Sequence, residues 1–107
     1  MTKPKLKLKL IPDPIFEAIV DIPLHGGGSA PVRFTFKHRA ISSIPEWSKS
    51  LEGKSASDAI LDMVAAWEFD DELTPENINL LIDNYPAAAE AISNAYAREI
   101  SQGRIKN

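Results

Sequence analysis

The chain has 107 residues, of which 44% are hydrophobic and 25% charged, and it contains no cysteine. A chain of this length and composition folds as one globular domain rather than staying disordered. Without cysteine it has neither disulfides nor thiolate metal sites, and it lacks both the roughly 18 apolar residues of a membrane span and the apolar core of a signal peptide. We therefore expect a single domain over residues 1–107, located in the cytoplasm, with no membrane partner.

Charge is sorted along the chain, although the formal net charge is only −3. Residues 1–54 carry nine Lys or Arg against five Asp or Glu, whereas residues 55–97 carry nine acidic side chains and no basic one. The acidic segment repels phosphate, so we expect no nucleic-acid partner. Opposite charges in two parts of one chain also favour head-to-tail contacts between copies, which predicts a homo-oligomer.

Lysine and leucine alternate from Lys5 to Leu10, which places Leu6, Leu8 and Leu10 on one face of an extended segment. A Pro-Asp-Pro sequence then interrupts the pattern. Residues 1–12 are therefore interpreted either as an extended basic arm whose leucines bind a partner or as an edge strand shielded by its own lysines.

Two further alternating runs, residues 15–22 and 32–37, predict a β-hairpin. The glycine-rich residues 25–30 between them suit a hairpin tip and not a phosphate-binding loop, because no Gly-Lys-Ser/Thr sequence follows. The side chains predicted to face the core are Phe16, Ala18, Val20, Ile22, Val32, Phe34 and Phe36.

Beyond Arg39 the apolar period lengthens from two to about 3.6 residues, which predicts helices. A capping-box sequence at Ser43 begins the first helix, which we expect to end at Gly53. Ser55 is predicted to cap a second helix. The apolar stripe predicted for this second helix consists of Ile60, Leu61, Val64 and Trp67.

Thr74 is predicted to cap a third helix, and a fourth runs from about Pro86 to Gly103. Residues 104–107 follow that glycine and are expected to fray and to tolerate extension. The order of strands before helices predicts an α+β fold. We expect a small antiparallel hairpin or sheet at the N-terminal side, packed against about four C-terminal helices. The third helix is predicted to bury Ile78, Leu81 and Ile82.

The residues do not form a catalytic or metal-binding constellation in the sequence. His25 and His38 lack partners at the spacing of a catalytic triad or a metal site. The acidic run Asp70-Asp71-Glu72 lacks the register of a calcium loop and is typical of solvated charge before a helix. We therefore predict a protein that is not an enzyme and has no cofactor.

Binding to another protein is the remaining function. The candidate binding residues are aromatic, acidic and leucine side chains. Tryptophan is enriched at binding hot spots, although each aromatic residue here also suits the core. The candidate partner-binding residues are Leu6, Leu8, Leu10, Trp47, Trp67, Phe69, Asp70, Asp71 and Glu72. An alternative is a regulatory or inhibitory module in which the acidic segment mimics nucleic acid and binds one protein tightly.

Four stretches of the sequence, in this order and spacing, resemble the tail-assembly chaperones of tailed bacteriophages and prophages. They are Pro12-Asp13-Pro14-Ile15-Phe16, Phe34-Thr35-Phe36-Lys37-His38-Arg39, Trp67-Glu68-Phe69-Asp70-Asp71-Glu72-Leu73 and Asn84-Tyr85-Pro86-Ala87-Ala88-Ala89. The resemblance implies a protein that binds the tape-measure protein, keeps it soluble and extended, recruits tail-tube subunits and is absent from the finished virion. It also implies a longer form made by a translational frameshift, for which the tail 104–107 is the expected branching point. It supplies no active-site residue to carry over.

Overall fold

The computed structural model describes residues 8–102, which form a three-stranded antiparallel sheet and four α-helices. The strands are β1 (Ile15–Pro23), β2 (Ser29–Lys37) and β3 (Val64–Trp67), and β2 lies in the middle. The helices are α1 (Ile44–Ser50), α2 (Ala56–Met63), α3 (Pro75–Asn84) and α4 (Ala88–Gln102). This arrangement confirms the predicted α+β fold.

The predicted hairpin is present, with an unbroken register that pairs Ile15 with Lys37 at one end and Pro23 with Ser29 at the other. Buried and exposed side chains alternate along both strands as the sequence pattern requires. At the tip, Gly26–Gly28 all adopt positive φ angles of 77° to 103°. Because side chains other than glycine rarely adopt this conformation, the three glycines make the tight connection feasible.

The third strand occupies residues that the sequence pattern assigned to the second helix, and that assignment was wrong. α2 ends at Met63, and the chain continues directly into β3, where Phe36 pairs with Val64 and Phe34 with Trp67. A Val-Ala-Ala-Trp sequence fits a helical or an extended period equally well over four residues. These residues form a strand because they pair with the open edge of β2 and because valine and tryptophan prefer strands.

Two of the three predicted helix caps are formed. Ser55 Oγ accepts a 3.2 Å hydrogen bond from the N–H of Asp58, and Thr74 Oγ1 accepts a 3.1 Å bond from the N–H of Asn77. Ser43 does not cap α1, because its hydroxyl donates back to the carbonyl three residues earlier, within a short 3₁₀ turn that precedes the helix. The predicted capping box is therefore absent.

The fourth helix begins at Ala88, two residues later than Pro86, where its start was predicted. The N–H of Ala88 donates to the carbonyl oxygen of Tyr85 at 2.9 Å, which closes the turn between α3 and α4. The predicted cap at Gly103 and the tail 104–107 lie outside the described residues.

One face of the sheet and the apolar sides of the helices enclose the core. Phe34 and Phe36 are fully buried at its centre, and the ring of Tyr96 from α4 lies 5.4 Å from that of Phe36, centroid to centroid. Helix α4 packs along β1, while α2 lies between α3, α4 and the sheet. The buried apolar side chains are Val20, Ile22, Val32, Phe34, Phe36, Ile60, Met63, Val64, Ile78, Ala88, Ile92, Ala95 and Tyr96.

Arg39, which follows β2, connects the sheet to three helices. Its Nη1 donates to the carbonyl oxygen of Asp62 at 2.7 Å and to the Tyr96 hydroxyl at 2.9 Å, while its guanidinium lies 4.5 Å from the ring centroid of Trp47. The Tyr96 hydroxyl donates in turn to the carbonyl oxygen of Lys37 at 2.7 Å. A cation at the last carbonyls of a helix is favourable, so Arg39 stabilises the end of α2 and the point at which β3 begins.

Candidate functional site

An open groove beside β3 brings together three of the predicted partner-binding residues, Trp67, Phe69 and Asp71. Its walls come from the hairpin tip, from the segment after β3 and from α3, and its volume is about 470 Å³. We call it the Trp67 groove. It is lined by His25, Trp67, Phe69, Asp71, Asn77, Leu80, Leu81, Asn84 and Tyr85.

Trp67 forms one wall of this groove and is held by contacts on two sides. Its ring meets Phe69 edge to face at a centroid distance of 5.0 Å, and its other neighbour is the core residue Phe34, at 6.5 Å. Its indole Nε1 donates a 2.7 Å hydrogen bond to the backbone carbonyl oxygen of Asp71. The aromatic pair therefore rests on the core, and the acidic turn after it is tied to the tryptophan.

Another part of the groove is built from the end of α3 and the hairpin tip. His25 stacks on Tyr85 at a centroid distance of 5.7 Å, and its Nε2 donates to the carbonyl oxygen of Asn84 at 2.8 Å. Leu80 stands on the outer turn of α3 with 58% of its surface exposed. An exposed leucine beside partly buried aromatic rings provides apolar surface that a partner can cover.

Acidic side chains lie near this apolar surface, and Asp71 lines the groove itself, whereas Asp70 and Glu72 do not. Asp70, Asp71 and Glu72 are exposed on the turn after β3, and Glu76 and Asp83 flank a shallow depression that adjoins the groove at Leu80. We call these five carboxylates the acidic rim. Within residues 8–102 none of them forms an ion pair. The rim gives the groove a negative potential that attracts a cationic ligand.

Trp47 lies elsewhere in the structure, so it does not belong to the Trp67 groove. It packs edge to face on Tyr96 at 5.5 Å and under the guanidinium of Arg39, in a crevice between α1 and α4. Its indole Nε1 is buried and has no hydrogen-bond partner among the described residues. These contacts place Trp47 at the edge of the core.

The leucines of the arm are exposed where the structure describes them. Leu8 is 94% and Leu10 100% exposed, and residues 8–14 add no strand to the sheet, so the edge-strand interpretation fails for this part. Lys9 forms an exposed 2.8 Å ion pair with Asp13. Leu6 lies outside the described residues.

Six of the nine residues that line the groove were not predicted from the sequence as binding residues, namely His25, Asn77, Leu80, Leu81, Asn84 and Tyr85. His25 was considered only as a catalytic or metal-binding side chain. Leu80 gave a signal, because it lies outside the buried stripe of α3 and between acidic positions of the same helix. An apolar residue off the core-facing stripe is a candidate for contact with another molecule.

Residues 8–102 thus form a small α+β protein with an open, acid-rimmed groove. In this part of the chain no group of His, Cys, Asp and Glu is arranged to hold a metal ion, and no helix is long and apolar enough to cross a membrane. The chain belongs to the phage tail assembly chaperone family, whose model matches residues 1–107. The family predicted from the sequence is therefore confirmed. Neither the curated proteins nor the solved structures contain a match to this chain.

Proposed function

We propose that this protein binds the tape-measure protein of its phage in the host cytoplasm, keeps it soluble and recruits tail-tube subunits to it. It acts by binding and not by catalysis. Membership of the phage tail assembly chaperone family supports a role in tail assembly. The observation that carries the binding step is the Trp67 groove, which combines exposed apolar surface with an acidic rim that forms no ion pair within residues 8–102.

The form of the groove suits a protein segment. It is open to solvent, and Trp67 and Leu80 are both among the residues that line it. An amphipathic segment would fit it. Its apolar side chains would contact the floor of the groove, and Lys or Arg beside them would contact the acidic rim. We propose that the tape-measure protein presents segments of this chemistry.

A groove of this size contacts only a few side chains, so a single contact is weak. Many copies bound along one long partner cover much more of its apolar surface than one copy can, even though each contact is weak. Reversible binding also allows tail-tube subunits to replace the chaperone. The proposed function therefore requires many copies on each tape-measure chain.

Co-expression with the tape-measure protein tests this function. We expect the tape-measure protein to be insoluble alone, and to be soluble and to co-purify with several copies of the chaperone when both are made. A tape-measure protein that stays insoluble, or that never co-purifies, would contradict the proposal. A single tight protein partner bound one to one, without self-association, would favour the regulatory module instead.

A further inference from the structure

We infer that the Lys/Leu segment (residues 5–10) of one copy occupies the Trp67 groove of a second copy, so that the protein associates head to tail. The inference rests on the groove being a protein-binding site, as proposed above, but not on the identity of the tail protein. The ligand of the groove is then a segment of the same protein.

The apolar side chains of the two surfaces are complementary. Leu8 and Leu10 are almost completely exposed in the single copy, and alternation along an extended segment places them on one face. Trp67, Phe69 and Leu80 offer partly exposed apolar surface in the groove. Contact between the two sets removes both from water, which is the main driving force of association.

The charges of the two surfaces are complementary as well. The segment carries Lys5, Lys7 and Lys9 in alternation with its leucines, whereas the acidic rim has five carboxylates without ion pairs among the described residues. Long lysine side chains can bend from the back of a strand toward flanking carboxylates. The ion pair of Lys9 with Asp13 is exposed on both sides and is weak enough to exchange for one with the rim.

Leu8 and Leu10 do not occupy the groove of their own copy, because both are almost completely exposed there. β1 begins at Ile15, and the hairpin tip, where His25 closes the groove, lies eight strand positions away, or about 26 Å at ~3.3 Å per residue. Leu10 precedes Ile15 by five residues, which extend at most about 18 Å. Leu10 therefore cannot reach the His25 end of its own groove.

Docking of this kind joins two different surfaces, one from each copy. Such a heterologous contact leaves a free segment at one end and a free groove at the other, so it can continue into an open chain. Since the segment and the tape-measure protein use the same groove, they compete. Self-association is then expected to decrease when the tape-measure protein binds.

A complementation experiment with two variants of the full chain tests the inference. The segment variant, Leu8→Ser with Leu10→Ser, keeps an intact groove, and the groove variant, Leu80→Asp, keeps an intact segment. We expect sedimentation velocity to show concentration-dependent association of the wild type at about 0.1 M salt, reduced at least tenfold in affinity at about 1 M. Each variant alone should be monomeric, and an equimolar mixture should form a dimer that grows no further.

Three further measurements complete the design. Circular dichroism establishes that each variant is folded, and Ile41→Asp, at a position as exposed as Leu80 but outside the groove, should associate like the wild type. A monomeric wild type, or a mixture of the two variants that stays monomeric while the wild type associates, would overturn the inference. The segment variant should still bind the tape-measure protein, so failure of self-association and failure of the proposed function are separable.

Discussion

The indole nitrogen of Trp67 and the carbonyl oxygen of Asp71 are joined by a 2.7 Å hydrogen bond, which ties the acidic turn to the aromatic wall of the groove. The same tryptophan contacts the core through Phe34. Trp67, at the end of β3, thus fixes the acidic turn relative to the sheet. Aromatic contact surface and negative charge are held side by side because one side chain anchors both.

Replacing Trp67 with phenylalanine separates these two roles. Trp67→Phe keeps an aromatic ring but removes the donor to the Asp71 carbonyl, so we expect the free energy of unfolding to fall by about 1 kcal/mol. Binding of the tape-measure protein should weaken by more than this loss predicts, because the acidic turn loses its anchor. Urea unfolding and calorimetric titration measure the two effects. Trp47→Phe is the matched control and should leave binding unchanged, since Trp47 lies outside the groove.

Phe34 is predicted to be a core residue whose loss destabilises the whole domain. It is fully buried, so Phe34→Ala should lower the free energy of unfolding by about 3–5 kcal/mol through lost burial and the cavity left behind. Ile19→Ala, at a half-exposed site on the adjacent strand, should cost no more than about 1 kcal/mol. Thermal and urea unfolding measure both. A Phe34→Ala variant that melts like the wild type but loses partner binding would show that this side chain is an interface anchor.

The Tyr96 hydroxyl is predicted to stabilise the junction between β2, α2 and α4. Tyr96→Phe leaves the ring in the core but removes the donor to the Lys37 carbonyl and the acceptor for Arg39. We expect a loss of about 1–3 kcal/mol in the free energy of unfolding, because the buried tyrosine loses two hydrogen bonds at a partly buried contact. Binding at the Trp67 groove should not change. Equal stability of the variant and the wild type would mean that water replaces the hydroxyl.

The ion pair between Lys54 and Asp62 predicts a pH-dependent stability. The hydrogen bond from Lys54, 2.6 Å long, holds the pKa of the Asp62 carboxyl below its ordinary value of 3.8, with smaller contributions from the charges of Arg39 and Lys37. Since the pKa is lowered in the folded state, the stabilisation is complete above 3.8 and disappears as the pH falls through the folded-state pKa.

Lys54→Met should therefore be less stable than the wild type at neutral pH, and the difference should shrink toward zero in acid. Urea unfolding at a series of pH values measures it. Lys49→Met, which removes a lysine without an ion pair among the described residues, is the control and should show no such pH-dependent difference. A difference between Lys54→Met and the wild type that stays constant from neutral pH into acid would contradict the assignment.

Local patterns were sufficient to predict the hairpin and most helices, because alternation and caps are encoded within a few neighbouring residues. The third strand was missed for the opposite reason. Val64 and Trp67 form a strand because they pair with β2, about thirty residues earlier, and because Arg39 stabilises the end of α2 just before them. No local period over four residues contains that information.

The groove was predicted only in part, for a related reason. Trp67, Phe69 and Asp71 stood out in the sequence by their chemistry, and the structure places them together. His25 and Tyr85 join them because the hairpin tip folds onto the end of α3. That contact joins residues sixty positions apart, so the sequence gives no local signal for it.

The most direct test of the Trp67 groove as the binding site compares the affinity of the tape-measure protein for two variants. Each variant has one exposed apolar residue replaced by aspartate, in one case inside the groove and in the other outside it. Leu80→Asp places a charge on the apolar surface of the Trp67 groove, while Ile41→Asp places it at a site of nearly equal exposure, 60% against 58%, outside that groove. We expect Leu80→Asp to weaken binding at least tenfold and Ile41→Asp to leave it unchanged. Equal binding by both variants, or greater loss with Ile41→Asp, would contradict the assignment of the Trp67 groove as the binding site.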